Sequence, residues 1–69
     1  MVHSLGFLMI TFVVFKYYPG TRTKPARTEE IDRFTNTLEE CRNICVQRGY
    51  AHRFNGQVKD NPRFEISTA

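Results

Sequence analysis

The chain has 69 residues, a net charge of +3 and two cysteines. Chains below roughly 70–80 residues seldom support a core without a disulfide, a metal or a partner. One domain is therefore the ceiling, and lipid or a neighbouring protein is the expected support. His3 and His52 lie far in sequence from Cys41 and Cys45, which excludes a zinc-type ligand spacing, and +3 without a concentrated basic face argues against nucleic acid.

Residues 1–15 contain no Lys, Arg, Asp or Glu, and every formal side-chain charge lies at Lys16 or beyond. An uncharged head before a charged body is a membrane-protein pattern. The run Leu5-Gly6-Phe7-Leu8-Met9-Ile10-Thr11-Phe12-Val13-Val14-Phe15 is interrupted only by Gly6 and Thr11. Counted from Val2 to Tyr18, it reaches the lower end, about 17 residues, of what a spanning helix needs. The expectation is a transmembrane helix over 1–18, with Lys16, Tyr17 and Tyr18 at the membrane interface and Pro19-Gly20 as its stop. Three alternatives compete. A secretory signal lacks both a preceding Lys or Arg and a small-x-small cleavage site, and a chain starting at Met1 also speaks against a removed signal. A buried strand suits Phe, Val, Ile and Tyr but is shorter than this run. A soluble core helix would find little cover in the rest of the chain.

Thr21 to Ala26 carry Arg22 and Lys24, and with Lys16 and Arg27 they place four positive charges after the apolar head. Residues 19–27 read as a basic linker, either a solvated flank that orients the span or a contact for anionic lipid headgroups. No aromatic residues interleave with the basic ones as a nucleic-acid arm requires.

Residues 28–48 read as one amphipathic helix with Thr28 as N-cap, acidic Glu29, Glu30 and Asp32 in the first turn, and Gly49 as terminator. Ile31, Phe34, Leu38, Cys41 and Cys45 follow a 3-4-3-4 spacing, a single narrow stripe fit for docking on a partner. The Cys41-x-x-x-Cys45 spacing is similar to half of the twin motif of small mitochondrial intermembrane-space proteins, but the second pair is missing. Two cysteines four apart on one helix are badly placed to bond each other. They read as small apolar packing residues, with a disulfide to a partner chain or metal and redox chemistry as the alternatives.

Residues 49–69 read as an irregular tail that wraps a partner. Asn55-Gly56 signals a turn between Phe54 and Val58, allowing a small hairpin, and Asp60-Asn61-Pro62 a second turn. Tyr50, Phe54, Phe64 and Ile66 are the expected contacts, and a partly disordered terminus is the alternative. Neither a Ser/His/Asp set nor a phosphate loop occurs, and Glu29-Glu30 and Glu39-Glu40 are adjacent pairs that point apart on a helix. The expectation is a protein that is not an enzyme and has no cofactor or metal.

The order of short span, basic linker, amphipathic helix and aromatic tail resembles the small accessory subunits of mitochondrial respiratory complexes. It is similar in layout to the one-span complex I subunit family whose name spells Met-Trp-Phe-Glu, and to a short one-span subunit of cytochrome c oxidase. Val46-Gln47-Arg48 and Asp60-Asn61-Pro62 carry a faint likeness to the first, while Met1-Val2-His3-Ser4 departs from it. A photosystem or ATP synthase subunit has the same layout. The resemblance implies a mostly α, supernumerary subunit that aids assembly and stability in the mitochondrial inner membrane, or in a thylakoid or other organelle membrane, with other subunits and lipids as partners. The alternative is a free-standing single-pass regulator of a pump or transporter.

Overall fold

The computed structural model describes residues 8–69. It corrects the expectation of a mostly α chain: strands dominate, and one short helix is present among the described residues. In chain order the elements are β1 (Ile10–Tyr18), β2 (Arg27–Asn36), α1 (Leu38–Gln47), β3 (Ala51–Phe54), β4 (Gln57–Asp60) and β5 (Phe64–Thr68). They form a three-stranded antiparallel sheet in the order β2-β1-β5 and a two-stranded sheet, β3-β4.

The expected spanning helix is overturned. Its residues 1–7 lie outside the described part, and from Ile10 to Tyr18 the segment is a strand. No helix among the described residues is long and apolar enough to cross a membrane. The reason is side-chain shape. Ile10, Thr11, Val13 and Val14 are β-branched and Phe12, Phe15, Tyr17 and Tyr18 are aromatic, all of which suit a pleated surface. β2 and β5 then satisfy both backbone edges of the strand, pairing Val14 with Asp32 on one side and with Ile66 on the other. Phe12, Val13 and Val14 are buried, Val14 completely. The buried-strand alternative therefore describes this segment.

The expected helix over 28–48 is two elements. Its first half is β2, where Asp32, Phe34 and Asn36 are half-buried and alternate with exposed Ile31, Arg33 and Thr35. This period of two overrides the 3-4-3-4 stripe. Phe34 meets Phe12 across the strands at 6.0 Å between ring centroids, and Thr35 shares a 2.7 Å hydrogen bond with Thr11. The register shifts between Val14 and Phe15, whose partners are Asp32 and Glu30, so Ile31 is an extra residue in β2.

The helix proper starts ten residues later than expected. Thr37, not Thr28, is its N-cap and accepts a hydrogen bond from the Glu40 amide at 3.3 Å, as a cap hydroxyl does. Its end follows expectation at Gly49, whose φ of 83° suits glycine. The Gly49 amide donates to Val46 O and the Tyr50 amide to Cys45 O, at 3.2 and 2.8 Å. These two bonds make a Schellman closure. Cys41 and Cys45 face the sheet, where they form the core with Phe12 and Ala51; Ile10, Phe34, Val46, Tyr50, Val58 and Ile66 pack around them.

The tail is regular, which corrects the expectation of an irregular wrap. Asn55 and Gly56 have φ of 51° and 77°, the two positive values of a two-residue hairpin turn, so the small hairpin expected there forms as β3-β4. At the second expected turn the Phe64 amide donates to Asn61 O and the Arg63 amide to Asn61 Oδ1, both at 3.0 Å. The chain then returns along β1 as β5.

One polar cluster ties these pieces together. Asp32 Oδ2 accepts from Arg48 Nη1 and from the Tyr50 hydroxyl, each at 2.7 Å, and Oδ1 accepts from the Arg33 amide at 2.8 Å. The cluster joins β2 to the end of α1 and the start of β3. Partial burial alone would raise the Asp32 pKa, but the hydrogen bonds from Tyr50 and Arg48 outweigh it and hold the carboxyl below its ordinary value.

Two tests follow from the fold. Replacing Thr37 by Ala is expected to lower the unfolding free energy by about 1 kcal/mol through the lost cap. Thr28→Ala, in an exposed strand position, should stay within about 0.5 kcal/mol. Equal effects in urea titrations would contradict the strand–helix boundary. For Asp32, a depressed carboxyl stabilises the fold above its ordinary value of 3.8, and this contribution is lost as pH falls through the folded value. Asp32→Asn should cost about 1–2 kcal/mol near neutrality, the low end for charge-assisted bonds because Arg48 is half in solvent. The variant should also show a shallower loss of stability below about pH 4, read by thermal melts across acid pH.

Candidate functional site

The eight expected docking residues separate into two groups. Cys41 and Cys45 are enclosed in the chain's own core, and Phe34 and Ile66 pack against it. Phe64 lies against Tyr50 at 5.1 Å between ring centroids. Ile31, Leu38 and Phe54 remain exposed, at 39%, 45% and 56%, but they sit on three different elements and form no common stripe.

Both cysteines are free. The Cys41 thiol points to Ile10 O and Asn36 O at 3.6 and 3.7 Å, which links the helix to the ends of β1 and β2. Burial, reinforced by the charges of Asp60 and Asp32, pushes the Cys45 thiol up to about 11. A thiol so enclosed is neutral at pH 7 and unreactive. No group of three or more metal-ligating side chains occurs among the described residues.

An open cleft of about 920 Å³ lies between α1, the β3-β4 hairpin and β5. Its rim carries Arg42 and Arg53 but also Glu39 and Asp60, and Arg53 is already hydrogen-bonded to Asn43. The mixture of signs defines no single ligand chemistry.

The far end of the β1-β2 ribbon differs. From Lys16 to Arg27 there are four cations and no acid. The sequence treats 19–27 as a linker, but its loop is tied by hydrogen bonds. The Thr21 amide donates to Lys24 O at 2.7 Å, and Thr21 Oγ1 accepts from the Lys24 and Thr23 amides at 3.1 and 3.3 Å. Gly20 is needed for this closure, since a Cβ there would stand 2.9 Å from the Ala26 nitrogen. Arg22 and Lys24 are thus presented on a shaped loop. Strand alternation puts Lys16 and Tyr18 on one face of the ribbon and Tyr17 on the other. The Tyr18 ring lies 4.3 Å from the Arg27 guanidinium and 5.3 Å from the Lys16 ammonium.

The ion pairs of the described residues are Arg27–Glu29, Arg33–Glu30 and Arg48–Asp32. At the ribbon end only Arg27 is neutralised, leaving Lys16, Arg22 and Lys24 free of carboxylates. The five residues expected at a membrane interface, Lys16, Tyr17, Tyr18, Arg22 and Lys24, are therefore together at one end of the molecule. Sequence reasoning missed Arg63. It reaches this end because β5 pairs with β1 in the register Lys16 to Phe64, and with Pro62 it lines a cleft of about 450 Å³ beside Lys16, Tyr17, Tyr18 and Pro19. The turn at 60–62 was legible, but its position was not, because nothing local to it encodes the return along β1.

No family model matches the chain, and comparison with curated proteins and with solved structures gives no match.

The buried thiols generate a test of their own. A thiol whose folded pKa is raised stabilises the fold fully below its ordinary value of 9.0, and that contribution fades as pH rises towards about 11. A Cys45→Ala variant should therefore lose part of the alkaline destabilisation that begins near pH 9. Both thiols should react with a thiol reagent in denaturant and resist it in native buffer; rapid native labelling would contradict their enclosure.

Proposed function

We propose that this chain is a small non-catalytic binding module that docks end-on, through the ribbon end 16–27, onto an anionic phospholipid surface. The observation that carries this reading is the segregation of unpaired cations, flanked by tyrosines, on a hydrogen-bonded loop. Tyrosine suits a boundary where one end of the side chain is apolar and the other wet, and Tyr17 and Tyr18 project from both faces of the ribbon. Lys and Arg each contribute roughly 1 kcal/mol near an anionic bilayer surface. No spanning segment enters this reading; attachment is peripheral and reversible.

A second reading keeps the accessory-subunit expectation without its span. Exposed Leu38 and Phe54 are apolar contacts suited to another subunit of a membrane complex, which would bring with it the organelle-membrane localisation. The two readings differ in what suffices for binding: lipid alone in the first, protein in the second.

Co-sedimentation with vesicles of phosphatidylcholine and phosphatidylserine is expected to bind the full chain, and vesicles of phosphatidylcholine alone are not. Replacing Arg22 and Lys24 together by Ala should weaken binding by about 2 kcal/mol, and raised salt should weaken it further. Absence of binding to the anionic vesicles, or binding that ignores both changes, would refute the lipid-surface reading.

A further inference from the structure

We infer that the cleft between the ribbon end and the turn at 61–63 is a phosphate site, with Lys16 and Arg63 as its two cations and a lipid phosphomonoester as its ligand. The inference rests on the end-on reading above and sharpens it from a surface charge to a single headgroup.

The cleft holds about 450 Å³ and is lined by Lys16, Tyr17, Tyr18, Pro19, Pro62 and Arg63, a size suited to a small ligand group. Two cations and no carboxylate line it. The carboxylate nearest Lys16 in the strand register is Glu29, and Arg27 already occupies it at 2.7 Å. An anion in the cleft would therefore meet uncompensated positive charge.

The two cations come from segments 47 residues apart; the β1-β5 register ends at Lys16 and Phe64, which leaves Arg63 in the turn just beyond it, and both residues line the cleft. Each is held by local structure. Lys16 is half-buried with its ammonium over the Tyr18 ring. The Arg63 backbone is fixed by the bond from its amide to Asn61 Oδ1 at 3.0 Å, and the Phe64 amide closes the same turn on Asn61 O. Pro19 and Pro62 form rigid walls. The guanidinium offers a planar fork matched to phosphate oxygens, and the ammonium a compact point charge.

Two cations without an acid balance two negative charges. That selects a phosphomonoester, which carries close to −2 at pH 7, over a phosphodiester or a carboxylate. Lipid is the source because the same end of the molecule carries Arg22, Lys24 and an exposed Tyr17, placed to meet the surface from which such a headgroup projects.

The test is co-sedimentation of the full chain with phosphatidylcholine vesicles containing phosphatidate or phosphatidylserine at matched surface charge. Binding to phosphatidate is expected to be stronger by about fivefold to tenfold, one cation's worth of contact. Arg63→Ala should abolish that preference and Arg63→Lys should restore part of it. Arg53→Ala, an equal charge loss at the other cleft, should leave it intact, and circular dichroism should show all three variants folded. Equal loss in Arg63→Ala and Arg53→Ala would overturn the site. So would equal wild-type binding to both vesicles, while the end-on reading would survive if Arg22 and Lys24 still mattered there. Failure to bind either vesicle would overturn both. Inorganic phosphate should shift the Arg63 side-chain resonances only weakly; affinity equal to that for phosphatidate, or a preference for heparin or nucleic acid over both vesicles, would overturn lipid as the source.

Discussion

Strand β1 is hydrogen-bonded along both edges, to β2 on one side and to β5 on the other. That double pairing is the constraint on which the rest of the structure depends. It places the two ends of the described chain side by side, with the Ala69 amide donating to Thr11 O at 3.0 Å. It also gives α1 a floor. Without a continuous sheet beneath it, a ten-residue helix would be marginal in water. With one, Cys41 and Cys45 are enclosed against Phe12. The small thiol side chains let the helix lie close to the strands, where larger residues would hold it off.

The rest of the stabilisation is polar and sits at the joins. The Asp32 carboxylate ties β2 to Arg48 and Tyr50, Asn61 organises the entry to β5, and Thr37 and Gly49 bracket the helix. These groups fix the relation between the elements they join. The acids of β2 are in turn engaged by arginines. Asp32 is engaged by Arg48, Glu30 by Arg33 and Glu29 by Arg27. Lys16, Arg22 and Lys24 are thus left without a carboxylate at one end of a chain whose net charge is only +3.

What could be read from the sequence was local. Asn55-Gly56 encodes its hairpin, Gly49 its helix end and Pro19-Gly20 the end of β1, because each depends on the conformational range of one or two residues. Lys16, Tyr17, Tyr18, Arg22 and Lys24 stay together at one end of the ribbon because they are close in sequence. What misled was periodicity without context. Ile31, Phe34, Leu38, Cys41 and Cys45 match a helical stripe, yet Phe34 is inward on a strand and Cys41 inward on a helix. Both patterns satisfy the same core, and pairing with β1 decides between them. The apolar head was misread for a related reason. A strand paired along both edges and buried at its centre, as at Phe12, Val13 and Val14, can be as hydrophobic as a membrane span. The contribution of Arg63 depends on long-range register, which no window of sequence contains.

The extra residue at Ile31 has a consequence for the molecule in a crowded solution. β2 is the long outer strand of the sheet, and a straight ten-residue edge would offer its free amides and carbonyls to any extended chain nearby. The bulge at Ile31 breaks that row near its middle, and Glu29, Glu30, Asp32 and Arg33 crowd charge around the break. Interrupted and charged edges of this kind resist templated growth into fibrils. A chain with so apolar a first strand thus keeps that strand interior, between β2 and β5, and the longer of its two edges is the one that is interrupted and charged.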